Sequence, residues 1–228
     1  MANAEELILQ TLKEKACLKQ DIFKLTIDIF DEFKQELRKI AVSLNEQIQQ
    51  VDKRVVVEYH ERSPFSIYIR TAGDLLVFEM HTNVFLFDSQ HKIWNLSYLD
   101  EDNSRGYCGL ISMYNFLSDS MKYKRVNDVG YLIGRLFVNK DRHFIVEGKR
   151  QMGFLYNNFS ADVLNADRIR EVIHSAILFV LNFDLLTPPY EAVQEASINQ
   201  LNENAQMMNS VTGKRLGFRF HNDEDQIV

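Results

Sequence analysis

Alternation of apolar and polar residues with a period of two dominates the middle of the chain, residues 55–156. In the run Val55–His60, Val55, Val57 and Tyr59 share one face and the intervening residues share the other, which is typical of a β-strand. The same pattern predicts strands over Val55–His60, Phe65–Arg70, Leu75–His81, Val84–Asp88, Ile93–Leu99, Tyr107–Phe116, Gly130–Asn139 and His143–Tyr156.

The links between the early runs are short, and this determines how the strands pair. Links such as Ala72-Gly73-Asp74 and Thr82-Asn83 leave no room for a crossover helix, so the first four strands are expected to form an antiparallel meander. The segment Asn139–Arg142 then turns the chain into a hairpin. These runs make seven or eight strands, and a separate last strand is expected at Lys214–Phe220. The fold predicted from them is built on one antiparallel sheet of about seven strands.

A long amphipathic helix is predicted before the sheet. Asn3 followed by Glu6 has the spacing of a capping box, so the helix is expected to begin near Ala4 and to run almost unbroken to Asp52. A helix of that length extends about 70 Å, which is more than a compact domain needs, so it either breaks or projects to a partner. Its apolar stripe supplies the expected interaction residues, which are Phe30, Phe33, Leu37, Ile40 and Leu44.

A second helix is predicted over Asp162–Asp184, where apolar residues occupy nearly every side and Pro188 lies beyond the end. Such a helix is expected to be buried. The segment Tyr190–Ser210 has a weaker helical pattern. Together these elements predict an α+β fold with a helical arm over residues 1–52 and a sheet domain over residues 53–228 that form one compact unit.

The central strands are apolar on both faces, as in Leu75–Phe78 and Val84–Phe87. Two helices cover one face of a sheet, so the other face needs the C-terminal segment or a second subunit. We therefore predict a homodimer, and a further protein partner is compatible with the same surface.

Composition narrows the classes of function. The net charge of −6 disfavours nucleic-acid binding, because phosphate contacts need a concentrated positive face. The first residues lack the pattern of a secretion signal and no apolar run is long enough to span a membrane, so a cytoplasmic protein is expected. The cysteines, Cys17 and Cys108, are too few and too far apart to predict a disulfide framework or a zinc site.

One basic cluster qualifies the argument from net charge. Lys140, Arg142, Lys149 and Arg150 lie on the predicted hairpin and on the turn that follows it. The cluster is either a solvated hairpin tip that blocks edge-to-edge aggregation or an anion-binding patch, and the first interpretation is favoured.

Candidate catalytic residues are few. Glu147 and Lys149 form an E-x-K pair on one face of a strand, the arrangement in which Mg²⁺-dependent nucleases use a carboxylate and a lysine, but the additional Asp is poorly placed. Glu79 and His81 share a strand end and offer a carboxylate beside an imidazole. No glycine-rich phosphate loop is present and no metal or other cofactor is predicted.

Two classes of function remain after these exclusions. The favoured one is a non-enzymatic interaction or assembly module that self-associates, because the recognised catalytic motifs are missing and the long helix projects. The alternative is a sensor of a small molecule, or an enzyme of an unrecognised kind, with a pocket between sheet and helices. The Mg²⁺-dependent nuclease that would use Glu147 and Lys149 is a minor variant of this alternative.

Overall fold

The computed structural model describes residues 3–122, 126, 128–149, 151–183, 187 and 189–199. Their helices are α1 (Ala4–Thr11), α2 (Cys17–Ile48), α3 (Ser97–Asp100), α4 (Ser118–Lys122), α5 (Gln151–Leu155), α6 (Ala166–Leu181) and α7 (Tyr190–Val193). The strands are β1 (Val57–Ser63), β2 (Ser66–Thr71), β3 (Asp74–Met80), β4 (Phe85–Leu86), β5 (Tyr107–Leu117), β6 (Tyr131–Asn139) and β7 (Phe144–Gly148). The architecture is α+β, as the sequence predicts.

The N-terminal helix is continuous from Ala4 to Ile48, because a single π-helical turn, Leu12–Ala16, joins α1 to α2. It begins as predicted, with the backbone N–H of Asn3 donating to Glu6 Oε2 at 3.1 Å. It ends at Ile48, four residues before the predicted end at Asp52. Side chains near its end then form hydrogen bonds with the backbone that leads into β1. Gln49 donates to the carbonyl of Val55, and Asn45 accepts from the N–H of Val57.

All strand pairs are antiparallel, and the order across the sheet is β1-β2-β3-β5-β6-β7. The predicted position of β4 beside β3 is wrong, because β3 and β4 pair with the same edge of β5. β5 has 11 residues and β3 only 7, so the part of β5 that β3 leaves open, Tyr107 and Cys108, pairs with β4. The predicted register of the hairpin is confirmed, with Arg135 opposite Glu147 and Gly134 opposite Gly148.

Two predicted strands are wrong in whole or in part. The apolar run Ile93–Leu99 forms a 3₁₀ turn, Lys92–Asn95, followed by α3, and it places Ile93 and Leu99 against the sheet as single buried side chains. The predicted strand His143–Tyr156 ends at Gly148, where the chain folds back into α5. A Cβ atom on Gly153 would lie 2.4 Å from the carbonyl oxygen of Gly148, so this close approach needs glycine.

The C-terminal helix and tail differ less from expectation. Helix α6 is shorter than the predicted Asp162–Asp184, because the side chain of Asn165 caps it by accepting from the backbone N–H of Arg168. It is buried on one side only, since Leu178 is 56% exposed. Of the predicted Tyr190–Ser210 helix the structure contains α7, and the predicted strand Lys214–Phe220 lies outside the described residues.

The main core lies between one face of the sheet and helices α2, α5 and α6, with Phe30, Phe33, Phe78 and Val172 among its members. Helix α2 crosses the sheet closely, because a Cβ atom on Gly109 of β5 would lie 2.0 Å from Thr26 Oγ1. None of the described helices has the combination of length and apolar character that a membrane crossing requires.

The other face of the sheet is covered within the same chain, which removes the coverage argument for a second subunit. A smaller core of Cys108, Leu110, Phe137 and Ile145 is closed by the segment that contains Ile93, Leu99 and Phe159. Further along, Leu75 and Val77 are 1% and 3% exposed, and their register neighbours on the same face include Tyr68, Tyr114 and Phe116. Self-association therefore needs a different physical basis.

The burial of the helix stripe predicts a contrast between Leu37→Asp and Leu44→Asp. Leu37 is 0% exposed and Leu44 is 37% exposed, so an aspartate at position 37 is buried without a partner and one at position 44 reaches water. We expect a loss of about 4 kcal/mol or more in the free energy of unfolding for Leu37→Asp. Leu44→Asp is expected to lose less than about 1 kcal/mol. Urea unfolding followed by circular dichroism measures both, and equal losses would contradict the burial of the stripe.

Candidate functional site

Four of the five predicted interaction residues lie inside the chain's own core. Phe30, Phe33, Leu37 and Ile40 are at most 6% exposed and pack toward the sheet. Leu44, at 37% exposure, is the one that reaches solvent. The predicted stripe therefore serves mainly the chain's own core.

Glu147 and Lys149 occupy the end of β7 in different environments. Glu147 forms an ion pair with Arg135, its cross-strand neighbour, and His91 Nε2 lies 3.4 Å from its second oxygen. Lys149 is exposed beyond the strand end. Across the residues that the structure describes, no group of three or more His, Cys, Asp or Glu side chains could hold a metal ion.

Glu79 and His81 are exposed residues near the junction of β3 and β4. Glu79 lies opposite Ser66 and Ser112 in the sheet register. The imidazole Nδ1 of His81 accepts from the backbone N–H of Asn83 at 3.0 Å, and its ring meets the Phe85 ring edge-on at 4.8 Å. These contacts show His81 shaping the turn into β4.

Two members of the basic cluster are paired with carboxylates. Arg142 donates two hydrogen bonds to Glu32 of α2, at 2.9 and 2.7 Å, and a third to the carbonyl of Leu164. Lys140 donates to Asp102, and this hydrogen bond holds the pKa of the Asp102 carboxyl down at about 2. Arg150 lies outside the described residues. The pairs fasten the β6–β7 hairpin to α2 and to the loop before β5.

A polar cluster beside the hairpin adds to this attachment. The hydroxyl of Tyr98 accepts from Asn139 Nδ2 and donates to Asp141 Oδ2, each at 3.0 Å. The Tyr98 ring stacks on His143 at 4.6 Å between centroids, and Arg105 lies over its other side at 4.3 Å. Burial raises the pKa of Tyr98 to about 12, so the hydroxyl stays protonated and keeps both bonds.

The exposed feature that the sequence analysis did not list is the first part of the N-terminal helix. Every residue from Asn3 to Cys17 is exposed, and we call this segment the arm. It contains large apolar side chains, with Ile8 59%, Leu9 52% and Leu12 53% exposed. At 3.6 residues per turn these three project within a sector of about 100°, so they form one stripe, and Leu7, which is 56% exposed, lies outside it. The length by which the predicted helix exceeds the width of the sheet would have indicated these exposed residues.

The arm contains the π turn and ends at two hollows where the helix meets the body. The N–H of Cys17 donates to the carbonyl of Leu12, an i→i+5 bond of the kind that often marks functional positions. Glu14, Lys15 and Leu18 border a hollow of about 260 Å³, which we call the root cleft, and Lys19, Gln20 and Phe23 border a second hollow of about 530 Å³. The root cleft is lined by Glu14, Lys15, Leu18, Leu86, Trp94, Asn103, Ser104 and Tyr107.

The apolar wall of the root cleft depends on a glycine. The Trp94 ring lies against Gly106, where a Cβ atom would come within 2.4 Å of the indole, and Trp94 Nε1 donates to the carbonyl of Asp88 at 2.9 Å. Leu86 of β4 is 48% exposed beside it. Glu14 and Lys15 bring one negative and one positive charge to the rim, so the cleft combines an apolar wall with a rim of mixed charge.

Comparison with protein-family models, with curated proteins and with solved structures finds no match to this chain.

The E-x-K pair yields a prediction for Glu147→Ala and Lys149→Ala. The side chains of Glu147 and Arg135 are 34% and 45% exposed, and an ion pair so exposed contributes little because water screens it. Each variant is expected to unfold within about 1 kcal/mol of wild type. Urea unfolding tests this, and a parallel assay measures DNA and RNA cleavage with Mg²⁺. Mg²⁺-dependent cleavage by the wild type that both variants lose would restore the nuclease hypothesis.

The Asp102–Lys140 pair predicts a pH dependence. Because the folded pKa of Asp102 lies below its ordinary value of 3.8, the ionised carboxylate stabilises the fold above that pH, and the contribution disappears as the pH falls toward about 2. The difference in free energy of unfolding between wild type and Asp102→Asn should therefore be constant from pH 7 to 5 and shrink between pH 4 and about 2. Urea titrations over this range measure it, and a difference that grows on acidification would contradict the assignment.

Proposed function

We propose that this protein is a non-enzymatic assembly module that associates with itself through its arm. The observation that carries the proposal is the apolar stripe of Ile8, Leu9 and Leu12, each more than half exposed on a helix that projects from the body. The arm, Asn3–Cys17, extends about 20 Å beyond the residues that pack on the sheet.

The energetics of a free helix support a partner for the arm. A helical segment of this length is marginal in water by itself, and most helix stability in proteins comes from packing an amphipathic face. Fully burying a large aliphatic side chain contributes about 1.5–3 kcal/mol, so the three stripe residues supply a useful driving force. A second copy is the commonest partner, because one surface then serves both subunits.

The state of the candidate catalytic and anion-binding residues favours an assembly role over an enzymatic one. Glu147 forms an ion pair with Arg135, and Lys140 and Arg142 are held by Asp102 and Glu32. These partners use the charges to join segments of the fold. Such pairs have a structural purpose without any substrate.

A second candidate function, the binding of a small molecule, is favoured by the 530 Å³ hollow beside the arm. It lies between α2 and the β3–β4 connection and is lined in part by Lys19, Phe23, Asn83 and Phe85. Its size and its mixture of apolar and polar walls fall within the range of ligand sites. A ligand retained through purification would support this candidate. A solution mass that is the same for wild type and for the Leu12→Asp variant would distinguish it from self-association through the arm.

The self-association proposal predicts that Ile8→Asp/Leu12→Asp is monomeric. The wild-type chain at micromolar concentration is expected to have twice the mass of one chain by size-exclusion chromatography with light scattering. Charges placed on both sides of the contact make its burial unfavourable in the double variant. Because both residues are exposed in the single chain, the melting temperature of the monomer should change little.

Leu178→Asp provides a matched control. Leu178 of α6 is 56% exposed, close to the 53% of Leu12, but it lies away from the arm. This variant should keep the wild-type mass. A wild-type protein with the mass of a single chain at micromolar concentration, or a dimer that survives the arm variant, refutes the proposal.

A further inference from the structure

We propose that two arms pair antiparallel about a two-fold axis near Gln10. The inference rests on the proposed self-association and specifies its geometry. It is carried by two features of the arm: the position of its apolar stripe and the order of its charges.

The apolar stripe is compatible with pairing about Gln10. An antiparallel register that is centred there brings Ile8 of one copy opposite Leu12 of the other, and the relation repeats by symmetry. Both side chains are more than half exposed in the single chain, at 59% and 53%. Helices packed through residues of this size lie about 8–10 Å apart, so both side chains become buried in the contact.

The order of charges along the arm selects the antiparallel direction. Acidic Glu5 and Glu6 occupy the first turn of α1, and the π turn carries basic Lys13 and Lys15 on either side of acidic Glu14, which lies on the side away from the stripe. In the antiparallel register Glu5 faces Lys15 of the other copy. A parallel pair would place each charged residue beside the same residue of the other chain, so that like charges repel. The helix dipoles also oppose one another favourably only in the antiparallel pair.

The root cleft lies outside the contact between the two arms. Of the helix residues that line it, Glu14 and Leu18 lie on the side of the helix away from Ile8, Leu9 and Leu12. Lys15 lies at the margin of the stripe, where Glu5 of the partner arm can reach it.

The geometry is tested with a spin label on Cys17 of the full-length wild-type chain. Cys17 is exposed and Cys108 is 1% exposed, so the label reacts at the arm alone. Antiparallel pairing about Gln10 separates the two Cys17 positions by about 20 Å along the arms, whereas a parallel pair brings them to about 10 Å. Pulsed dipolar spectroscopy on the dimer, with Cys17→Ser as the unlabelled control, reads this distance.

A charge exchange tests the direction independently. Glu5→Lys replaces two attractive contacts per dimer by repulsive ones in the antiparallel pair. The dissociation constant of the dimer should therefore rise at least about threefold at low salt. Adding Lys15→Glu to the same chain restores opposite charges and should restore the wild-type dissociation constant. In a parallel pair neither change would act this way, because like residues face each other throughout. Glu6 is left in place because it caps α1.

The outcomes separate the two proposals. A monomeric wild type overturns self-association and this geometry together. A dimer that needs Ile8 and Leu12 but shows a Cys17 distance near 10 Å, or no rescue by Lys15→Glu, keeps the arm as the interface and overturns the antiparallel arrangement. A distance near 20 Å together with the rescue supports it.

Discussion

The mismatch in length between the N-terminal helix and the sheet is the constraint on which the rest of the structure depends. From Ala4 to Ile48 the helix extends about 67 Å, whereas its buried stripe from Ile22 to Ala41 covers about 30 Å. A rigid helix cannot fold its surplus back onto the body. The arm is the consequence, and the direction in which it points is set by how α2 lies across the sheet.

Ion pairs fix that direction. Glu36 of α2 is 5% exposed and accepts from Lys39 and from Arg170 of α6, and the first of these hydrogen bonds lowers the pKa of the Glu36 carboxyl. One turn earlier, Glu32 holds Arg142 of the β6–β7 hairpin. Apolar packing alone allows a range of angles between the helix and the sheet. Directional hydrogen bonds at two sites fix one of these angles. The close contact between Thr26 and Gly109 supplies a third point on the same line.

Ion pairs between segments also explain why the residues that look reactive in the sequence have structural partners. Lys140, Arg142 and Glu147 all contact opposite charges on other segments of the chain. Both edges of the sheet are formed by hairpins, and several connections have no regular structure. Ion pairs between separate segments hold these parts in place. The arm, in contrast, exposes the large apolar side chains of Ile8, Leu9 and Leu12.

Local periodicity determined much of this architecture without any tertiary information. Alternation in Phe65–Arg70 and Leu75–His81 places two central strands, and the hairpin turn alone sets Arg135 against Glu147, because pairing through a short turn has one register. The capping box at Asn3 and the stripe through Leu37 place the long helix. These features depend on neighbours within a few residues, which the sequence displays directly.

Tertiary structure decided what depends on distant segments. β4 pairs with β5 and not with its sequence neighbour, because an 11-residue strand leaves an edge that β3 does not reach. Ile93–Leu99 is a short apolar run whose period does not distinguish strand from helix, so its contact with the second sheet face selected its form. The division of the helix stripe into buried Leu37 and exposed Leu12 follows from where the sheet ends. A period of 3.6 marks a face of a helix, but only the partner's dimensions determine how much of that face is covered.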